Sequence, residues 1–522
     1  MERLMARNGT EAVTYSGWQR ENGSFFFGLD AIQAVFVAAA AVTALIPLIS
    51  HSWMELLVAA PLAGILLLAA LVRIEGKVPA QWLRTWIAWS AVRLSGGHRF
   101  RSKPRYQSIG PDDQIAAPTD PGDEWDLPGV LAPLRLLAAE DSNCGLVAVL
   151  HHRVDRTYTV VAKVTHPGLA LRANDQANNR VRGWAAWLAQ QCVEDGAITR
   201  ISTYHTAEPA EIDELAGWAE AHLRPEAPGP AVDLVGEILS ADRRNVAEHS
   251  SYLSISLSAS RARREIRNAG GGDAGACAVL TRRMVSIASG VLQAGVEVDH
   301  WLGPRDLASV IRTAYAPMSR REIGARGILA RRPGWSGCEP GIPPALAGPT
   351  WTETSWGVYE HDDSWSLVAE IEWPRTPRDA SMLAGLLAAS AIGRRQVSVL
   401  YEPITPRRAE RSLQTDKTKR DVAIRLRQKT GQVAPEREQR EYAVAAAQDA
   451  ELAAGHGLLR FAGYVAVTVT DRALLEQAWD ELCADAGSSG LVLRRCSGWL
   501  DTAFACAAVP AGIGLPGKGQ KA

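Results

Sequence analysis

The chain has 522 residues and a formal net charge of −1, with 47% hydrophobic and 22% charged residues. This length suits two or three domains, and the balanced charge excludes a global electrostatic field that would attract nucleic acid. The 7 cysteines are scattered and form no C-x-x-C pair. This usage predicts free thiols in a reducing compartment and argues against a disulfide framework or a zinc site.

Two apolar runs near the N-terminus predict a helical membrane anchor. They cover about residues 31–49 and 56–72, and each is just long enough to cross about 30 Å of hydrocarbon as a helix. Only residues 50–55 separate them, so we expect a tight transmembrane hairpin. A buried hairpin of a soluble protein is the alternative. A cleavable signal peptide is disfavoured because a second apolar run follows at once.

Lysine and arginine are distributed unequally around these two runs. Residues 50–55 contain neither, whereas the stretch before the first run and the stretch after the second run are both basic. Positive charge near a span favours the cytoplasmic side. The pattern therefore predicts a multi-pass protein of the cytoplasmic membrane with both its N-terminus and its C-terminus in the cytoplasm.

Four tryptophans are candidates for contact with the membrane interface. Trp53 lies in the predicted outer turn, while Trp82, Trp86 and Trp89 recur at helical spacing after the second run. Because indole rings are favoured where lipid meets water, we predict a juxtamembrane helix along the inner surface of the membrane. A tryptophan stripe packed on the protein itself is the alternative. The anchor and this helix together are assigned to residues 1–104.

Strand and helix signals alternate through the rest of the chain. Between the linker-like stretches at residues 105–126 and 331–349, both rich in proline and glycine, the signals are typical of an α+β domain. The strand-like runs are 145–151, 158–165, 198–204, 252–258 and 296–301. The helical runs lie near 175–191, 209–223, 232–248, 274–293 and 305–315.

The second half of the chain repeats this order. Tyr158-Thr-Val-Val has its counterpart in Trp365-Ser-Leu-Val, and the strand that begins at Tyr252 has its counterpart at Tyr464. A repeat of this length favours an internal duplication. We therefore predict an α+β fold, in which the two-helix transmembrane hairpin precedes a cytoplasmic, internally duplicated α/β body with mainly antiparallel sheets and helices on one face. The assigned ranges are 127–320 for the first half, 350–510 for the second half and 511–522 for a flexible tail.

A basic segment interrupts the second half. Residues 406–453 are predicted to form a helical hairpin, and residues 406–429 have nine arginines and lysines against three acidic residues. Such a hairpin could contact DNA phosphate, acidic lipid or a protein partner, and a solvated helix face is the alternative. The candidate contact residues are Arg407, Arg408, Arg411, Lys417, Lys419, Arg420, Arg425, Arg427 and Lys429.

Motifs for catalysis are weak. Residues 512–518 match the spacing of a P-loop, but Gly519 stands where a serine or threonine would hold magnesium, and the sequence ends before a helix could follow. The sequence has no H-E-x-x-H or G-x-S-x-G motif. His151-His152 and His361-Asp362 fall in predicted hairpin turns. We therefore predict a protein that is not an enzyme and that uses no catalytic residue, cofactor or metal.

The C-terminal part of the sequence resembles a known family. Residues 449–470 read DAELAAGHGLLRFAGYVAVTVT, and this stretch is similar to the segment that precedes the motor domain in conjugative ATPases of type IV secretion systems. Residues 491–495 and 501–510 resemble the runs that follow it there. A P-loop domain comes next in those ATPases, whereas this sequence ends at Ala522. The resemblance therefore implies the non-catalytic N-terminal domain without the motor.

The N-terminal part resembles another component of the same machines. The two apolar runs are similar to short two-span proteins of the PrgI type, which sit beside the conjugative ATPase and are sometimes fused to it. Residues 14–18 and 351–374 resemble stretches of actinobacterial mobile-element proteins that carry such an anchor and body. The resemblance implies a scaffold of a conjugative DNA transfer apparatus that binds a separate conjugative or coupling ATPase subunit and forms homo-oligomers. It carries over no catalytic residue, because the catalytic motifs of the family belong to the P-loop domain.

Three other functions stay open from the sequence. Type VII secretion also uses a two-span subunit with a cytoplasmic α/β domain. A membrane-tethered protein that binds nucleic acid or acidic lipid through residues 406–429 is another possibility. An enzyme would require nucleotide turnover that depends on Lys518.

Overall fold

The computed structural model combines helices and strands around one large sheet. It describes residues 24–26, 29–50, 53–72, 78–102, 125–142, 144–168, 174–209, 224, 227–241, 247–330, 339–374, 376, 378–379, 381–388, 390, 392–415, 418, 450, 452 and 457–516. The helices are α1 (Ala31–Ser50), α2 (Trp53–Leu71), α3 (Pro79–Leu94), α4 (Asn174–Gln190), α5 (Gly229–Ala241), α6 (Arg263–Asn268), α7 (Gly272–Gln293), α8 (Pro304–Tyr315), α9 (Ser319–Ala330), α10 (Leu475–Ser488) and α11 (Leu500–Ala508). Residues 406–415 are also helical.

The strands follow one another over most of the chain. They are β1 (Ser24–Phe26), β2 (Leu29–Asp30), β3 (Arg99–Arg101), β4 (Leu134–Asp141), β5 (Gly145–His152), β6 (Thr157–Thr165), β7 (Ile198–Pro209), β8 (Ala247–Ser258), β9 (Glu297–Trp301), β10 (Trp351–Thr354), β11 (Tyr359–His361), β12 (Ser364–Glu372), β13 (Arg394–Ile404), β14 (Leu458–Val469) and β15 (Val492–Arg495). Short 3₁₀ turns lie at Gly129–Leu131, Pro344–Leu346, Ala384–Leu387 and Arg472–Leu474.

All strands except β1 and β2 belong to one sheet of 13 strands. Its main path has the order β3-β10-β11-β12-β14-β13-β7-β8-β6-β5-β4, with β15 beside β12 and β9 beside β6. Every pair of neighbours in this sheet is antiparallel. The predicted α+β class with a large antiparallel sheet is therefore confirmed.

The same strand order occurs twice in this sheet. The order β4-β5-β6-β8-β7 on one side corresponds to β10-β11-β12-β14-β13 on the other, and β9 and β15 occupy equivalent places. The two sets meet where β13 pairs with β7, from Arg395 opposite Ala207 to Tyr401 opposite Ile201. An approximate two-fold axis passes through this pair. The sequence has no signal for this junction, which merges the two halves into a single sheet.

Helices cover both faces of the sheet, so the prediction of helices on one face is wrong. α8 and α11 lie on one face, where Tyr315 and Phe504 are fully buried. α4 and α7 cover the opposite face of the first half, and α10 covers that face of the second half. Successive residues of a strand point to opposite faces. A strand such as β5, with four consecutive buried residues from Val147 to Leu150, is therefore packed on both sides.

The observed elements follow most of the predicted runs, with one correction. α4, α7 and α8 overlap the helical runs near 175–191, 274–293 and 305–315. The helix predicted near 232–248 is observed as α5, and the residues from Ala247 onward instead begin β8, because Ala247 pairs with Pro209 across the β7–β8 ladder. Of the helix predicted near 209–223, Pro209 instead ends β7, and residues 210–223 lie outside the described residues.

The sheet face under α11 has polar side chains at its centre, and two of them form hydrogen bonds with the end of this helix. The Ser398 hydroxyl donates a hydrogen bond to the backbone oxygen of Cys506 at 2.7 Å, and the Gln396 amide donates to that of Ala508 at 3.4 Å. The last carbonyls of a helix have no partner within the helix. Side chains of β13 therefore satisfy the C-terminal end of α11, which fixes where this helix lies on the sheet.

The segment after α11 is packed, so the prediction of a flexible tail at residues 511–522 is wrong for its first part. Ala511 and Ile513 are 2% and 6% exposed. Gly512 has φ +68°, and a Cβ at this position would collide with hydroxyl groups of the sheet beneath it. The start of the sequence match to a P-loop therefore lies flat on the sheet, while residues 517–522 lie outside the described part of the chain.

A buried histidine connects α8 to the second half of the sheet. His361 is fully buried at the end of β11, although the sequence placed it in a polar turn. Its Nδ1 contacts the backbone oxygen of Tyr315, and its Nε2 lies 2.7 Å from the Ser366 hydroxyl. A carbonyl oxygen can only accept, so Nδ1 carries the proton and Ser366 donates to Nε2. The ring is neutral, and burial lowers the pKa of His361 to about 4.

We predict that this histidine makes the protein sensitive to acid. The folded state resists protonation until the pH is near 4, whereas the unfolded chain binds the proton near pH 6.5. The stabilisation is complete above about pH 6.5 and is lost as the pH falls towards 4, by about 3 kcal/mol for the full shift. His361→Gln should lower the unfolding temperature at pH 7 but should reduce its further fall on acidification.

The control for this prediction is His300→Gln, because His300 is an exposed histidine of β9. Burial also lowers the pKa of His205 to about 4, so some acid sensitivity should persist in His361→Gln. Thermal unfolding of the purified chain between pH 7 and pH 4 provides the measurement. If the unfolding temperatures of His361→Gln and the wild type fall equally with pH, the acid sensitivity does not come from His361.

Candidate membrane anchor and basic segment

α1 and α2 pack on each other through small side chains. Ala40, Ala59, Ala63 and Ala70 are between 0% and 8% exposed, and the Gln33 side-chain amide donates a hydrogen bond to the backbone oxygen of Ala70 at 2.8 Å. This bond joins the start of α1 to the end of α2. The two helices therefore run in opposite directions in close contact.

Most of the described large apolar side chains of α1 and α2 point away from the protein, whereas Phe36, Val37 and Leu66 are half-buried. The exposed fractions of the others range from 40% for Leu67 to 84% for Trp53. The exposed residues are Val35, Val42, Leu45, Ile46, Ile49, Trp53, Met54, Leu57, Val58, Leu62, Ile65, Leu67, Leu68 and Leu71. A contiguous apolar surface of this kind marks a site of contact with a membrane or with another protein.

Among the described residues, one helix is long and apolar enough to cross a membrane, and it is α7. Half of its apolar stretch is buried, and Leu280, Met284 and Val291 pack in the core of the first half. α7 is thus a core helix. The described apolar stretches of α1 and α2, Gln33–Pro47 and Leu57–Leu71, are each shorter than 18 residues. Length and hydropathy therefore do not confirm the transmembrane hairpin, which stays a prediction.

α3 is fixed to the body by a tryptophan cluster. The ring of Trp356, in the turn between β10 and β11, lies 6.0 Å from that of Trp82 and 5.4 Å from that of Trp89. Thr85 is 4% exposed, and Gly498 lies so close that a Cβ there would be 3.1 Å from both Thr85 and Trp356. α3 also contacts α1 and α2. It therefore forms the joint between the apolar helices and the sheet.

The chain continues from α3 directly into the sheet. Arg99, Phe100 and Arg101 of β3 pair with Glu353, Thr352 and Trp351 of β10. The backbone N–H of Thr354 donates to His98 at 2.8 Å, which extends this pairing. The backbone hydrogen bonds of β3, which follows α3, and the contacts of α3 with Trp356 together restrict how α3 can be oriented on the sheet. The apolar hairpin is therefore held in a set direction relative to the sheet.

The predicted interfacial tryptophans separate into two groups. Trp82 and Trp89 face Trp356, which matches the alternative of a stripe packed on the protein. Trp53 and Trp86 are 84% and 54% exposed. Beside Trp86, the outer flank of α3 exposes further large apolar side chains. They are Leu83, Ile87 and Leu94, at 48%, 55% and 90% exposure.

The basic segment is described only in part. Arg407, Arg408 and Arg411 lie on the exposed side of the helix at residues 406–415, whose Ala409 is fully buried. The Arg407 guanidinium lies 3.7 Å from a carboxylate oxygen of Glu194. The remaining predicted contact residues lie outside the described residues. They are Lys417, Lys419, Arg420, Arg425, Arg427 and Lys429.

The position of this segment in the sheet is well defined. It leaves the ladder where Ile404 pairs with Leu458, and its counterpart in the first half leaves where Pro209 pairs with Ala247. Because β7 and β13 are antiparallel, these two insertions emerge from opposite ends of the sheet. The chain thus presents one insertion at each end of its central strands.

Sequence reasoning missed a buried ion pair next to His361. The Arg312 guanidinium of α8 lies 3.0 Å from Asp362, whose other carboxylate oxygen accepts a backbone hydrogen bond from Thr350 at 2.7 Å. A cavity of about 120 Å³ lies beside the pair and is also lined by Ser364. No cluster of three or more potential metal ligands occurs within the described part of the chain. The pair fixes α8 to the turn between β11 and β12.

No protein-family model matches the chain, and no curated protein is significantly similar to it.

We predict that replacing Trp356 with alanine loosens α3 from the body. Removing the ring that lies between Trp82 and Trp89 should cost about 2 kcal/mol of local stability, which raises the open population roughly thirtyfold. Trypsin should then cleave faster after Arg99 and Arg101, and the rate in mild detergent is the measurement. Trp86→Ala is the matched control, because Trp86 is 54% exposed. Equal cleavage rates in Trp356→Ala and the wild type would show that the Trp356 contacts do not hold α3 on the body.

Proposed function

We propose that the protein is a non-catalytic scaffold of a conjugative, type IV secretion DNA transfer apparatus. In this proposal α1 and α2 cross the cytoplasmic membrane, both termini are cytoplasmic, and the body binds a separate conjugative or coupling ATPase subunit. The observation that carries the proposal is the outward-facing apolar surface of α1 and α2 on a hairpin fixed to the sheet through α3.

The side-chain arrangement of the hairpin supports membrane insertion. In water, the hydrophobic effect buries large apolar side chains in the contact between two helices. In a membrane this driving force is absent, because the lipid tails are as apolar as the side chains. Helices in membranes therefore approach through small residues. α1 and α2 contact each other through Ala40, Ala59, Ala63 and Ala70 and expose most of their described leucines, isoleucines and valines. This is the reverse of a soluble helical hairpin.

The outer flank of α3 supports a body held close to the membrane surface. Trp86 and Leu83 are about half exposed on the helix that directly follows the hairpin. An amphipathic tryptophan side chain is favoured at the interface of lipid and water. With Trp82 and Trp89 turned towards Trp356, α3 would lie between the membrane and the sheet.

The body supports a scaffold role through its construction. The 13-strand sheet is covered by helices on both faces, and its two halves are joined through β7 and β13. A single rigid sheet with an insertion at each end suits a subunit that holds other proteins in position. The assignment to conjugation rests on the sequence resemblance of residues 449–470 and 491–510.

A second candidate function rests on the helix at residues 406–415. Arg407, Arg408 and Arg411 are exposed there and belong to the basic segment. In this candidate the protein is a membrane-tethered binder of nucleic acid or acidic lipid. A membrane subunit of type VII secretion would share the architecture and differ in its partners.

Purification of the tagged full chain from native membranes in mild detergent tests the proposal. We expect a conjugative or coupling ATPase to co-purify. A variant with Arg407, Arg408 and Arg411 changed to glutamate tests whether the basic helix is the docking surface, and it should reduce ATPase recovery if so. Recovery of the protein alone, or with type VII components only, would contradict the conjugative assignment.

A further inference from the structure

Within the described residues, one edge of the large sheet has no strand beside it, whereas the equivalent edge is covered. β10 is paired on its outer side with β3. β4 occupies the equivalent place in the first half, and within the described residues no strand pairs with its outer side. A strand edge with unpaired backbone groups is a template for pairing with another strand. β4 is also long, from Leu134 to Asp141.

The neighbours of β4 show which of its backbone groups point outward, away from β5. Ala148 of β5 donates its N–H to Leu302, on the side away from β4, at 2.9 Å. In an antiparallel strand the N–H and C=O of one residue point to the same side, and this side alternates along the strand. Ala138 lies opposite Ala148 and therefore points its own N–H and C=O away from β5. Leu136 and Glu140 do the same.

We propose that two copies of the chain pair through β4, antiparallel about a two-fold axis at Ala138, so that their sheets become continuous. This inference deepens the proposed scaffold function by naming its surface for self-association. The partner strand in this proposal is β4 of a second copy of the chain, because β4 is complementary to itself when two copies are antiparallel. The axis at Ala138 brings the outward groups of Leu136 opposite those of Glu140 in the other copy, so backbone hydrogen bonds can form along the whole pair.

Charge complementarity supports this register. With the axis at Ala138, Arg135 of each copy lies directly opposite Asp141 of the other copy, at both ends of the pair. These are the positions without backbone bonds, where side chains approach most closely, and opposite charges there stabilise the pairing. With the axis at Leu137 instead, Arg135 would face Ala139.

The side chains are placed to make this contact. The Arg135 side chain is 38% exposed and lies 3.4 Å from Asp273, so its guanidinium retains capacity for a second carboxylate. One Asp141 oxygen accepts a hydrogen bond from the Cys144 backbone N–H at 3.1 Å. Ala138 is exposed on β4, and pairing at the axis would cover this side chain.

Disulfide crosslinking in native membranes tests the proposal. Two Cα atoms in a backbone-bonded antiparallel pair are about 5.5 Å apart, within the range that a disulfide spans. Ala138→Cys, made in a Cys144→Ser background because Cys144 is exposed, should form a reducible dimer under mild oxidation. Val154→Cys in the same background is the control, because Val154 is 73% exposed in the turn between β5 and β6, beyond the start of β4 and far from the axis at Ala138. At least tenfold more dimer is expected for Ala138→Cys.

A pair of charge variants tests the two-fold symmetry. Ala138→Lys and Ala138→Glu each place like charges against each other at the axis, so each should be monomeric where the wild type is dimeric. An equal mixture of the two should restore the dimer, as measured by light scattering after size separation in detergent. Unchanged unfolding temperatures would show that the fold is retained.

Three results would overturn the proposal. They are equal crosslinking of Ala138→Cys and Val154→Cys, a crosslink from position 138 to a different protein, and dimers of Ala138→Lys that equal those of the wild type. Recovery of the ATPase without any of the expected crosslinking would remove this inference and leave the scaffold function intact. Crosslinking without ATPase recovery would do the opposite.

Discussion

The structure depends most on the contact that joins the apolar hairpin to the sheet. Trp356 lies between Trp82 and Trp89, and β3 adds the next residues of the chain to the edge of β10. The orientation of α1 and α2 therefore determines the orientation of the sheet through these packed contacts. A flexible tether would hold the body near a membrane without orienting it. If α1 and α2 cross a membrane as proposed, this joint would orient the body as well as anchor it.

The sheet explains why the two halves act as one unit. Its central pair is β7 with β13, and the strands on either side repeat in mirror order. α8 and α11 share one core across the junction, in which Tyr315 contacts both His361 and Phe504. Separating the halves would expose this core, because Tyr315 belongs to the first half and both His361 and Phe504 belong to the second. Conformational change is therefore expected outside this region, at the insertions and edges.

The sequence predicted local structure better than long-range structure. Strand-like apolar runs located β5 to β9, and helical runs located α4, α7 and α8, because these signals depend on neighbours in the chain. The tryptophan spacing indicated a helix at α3 but not which rings face inward, since Trp356 is far away in sequence. The β7–β13 junction and the ion pair of Arg312 with Asp362 depend on contacts between distant segments. The tail was mispredicted because its small residues fit flat against hydroxyl groups of the sheet.

The central claim is that α1 and α2 cross the membrane with the body in the cytoplasm, and cysteine labelling in intact cells tests it most directly. Trp53→Cys places a thiol at an 84% exposed position in the predicted outer turn, and the native Cys144 is an exposed thiol of the body. A reagent that cannot cross membranes should label position 53 in intact cells and should label Cys144 only after lysis. Labelling of Cys144 in intact cells, or of position 53 only after lysis, would contradict the account.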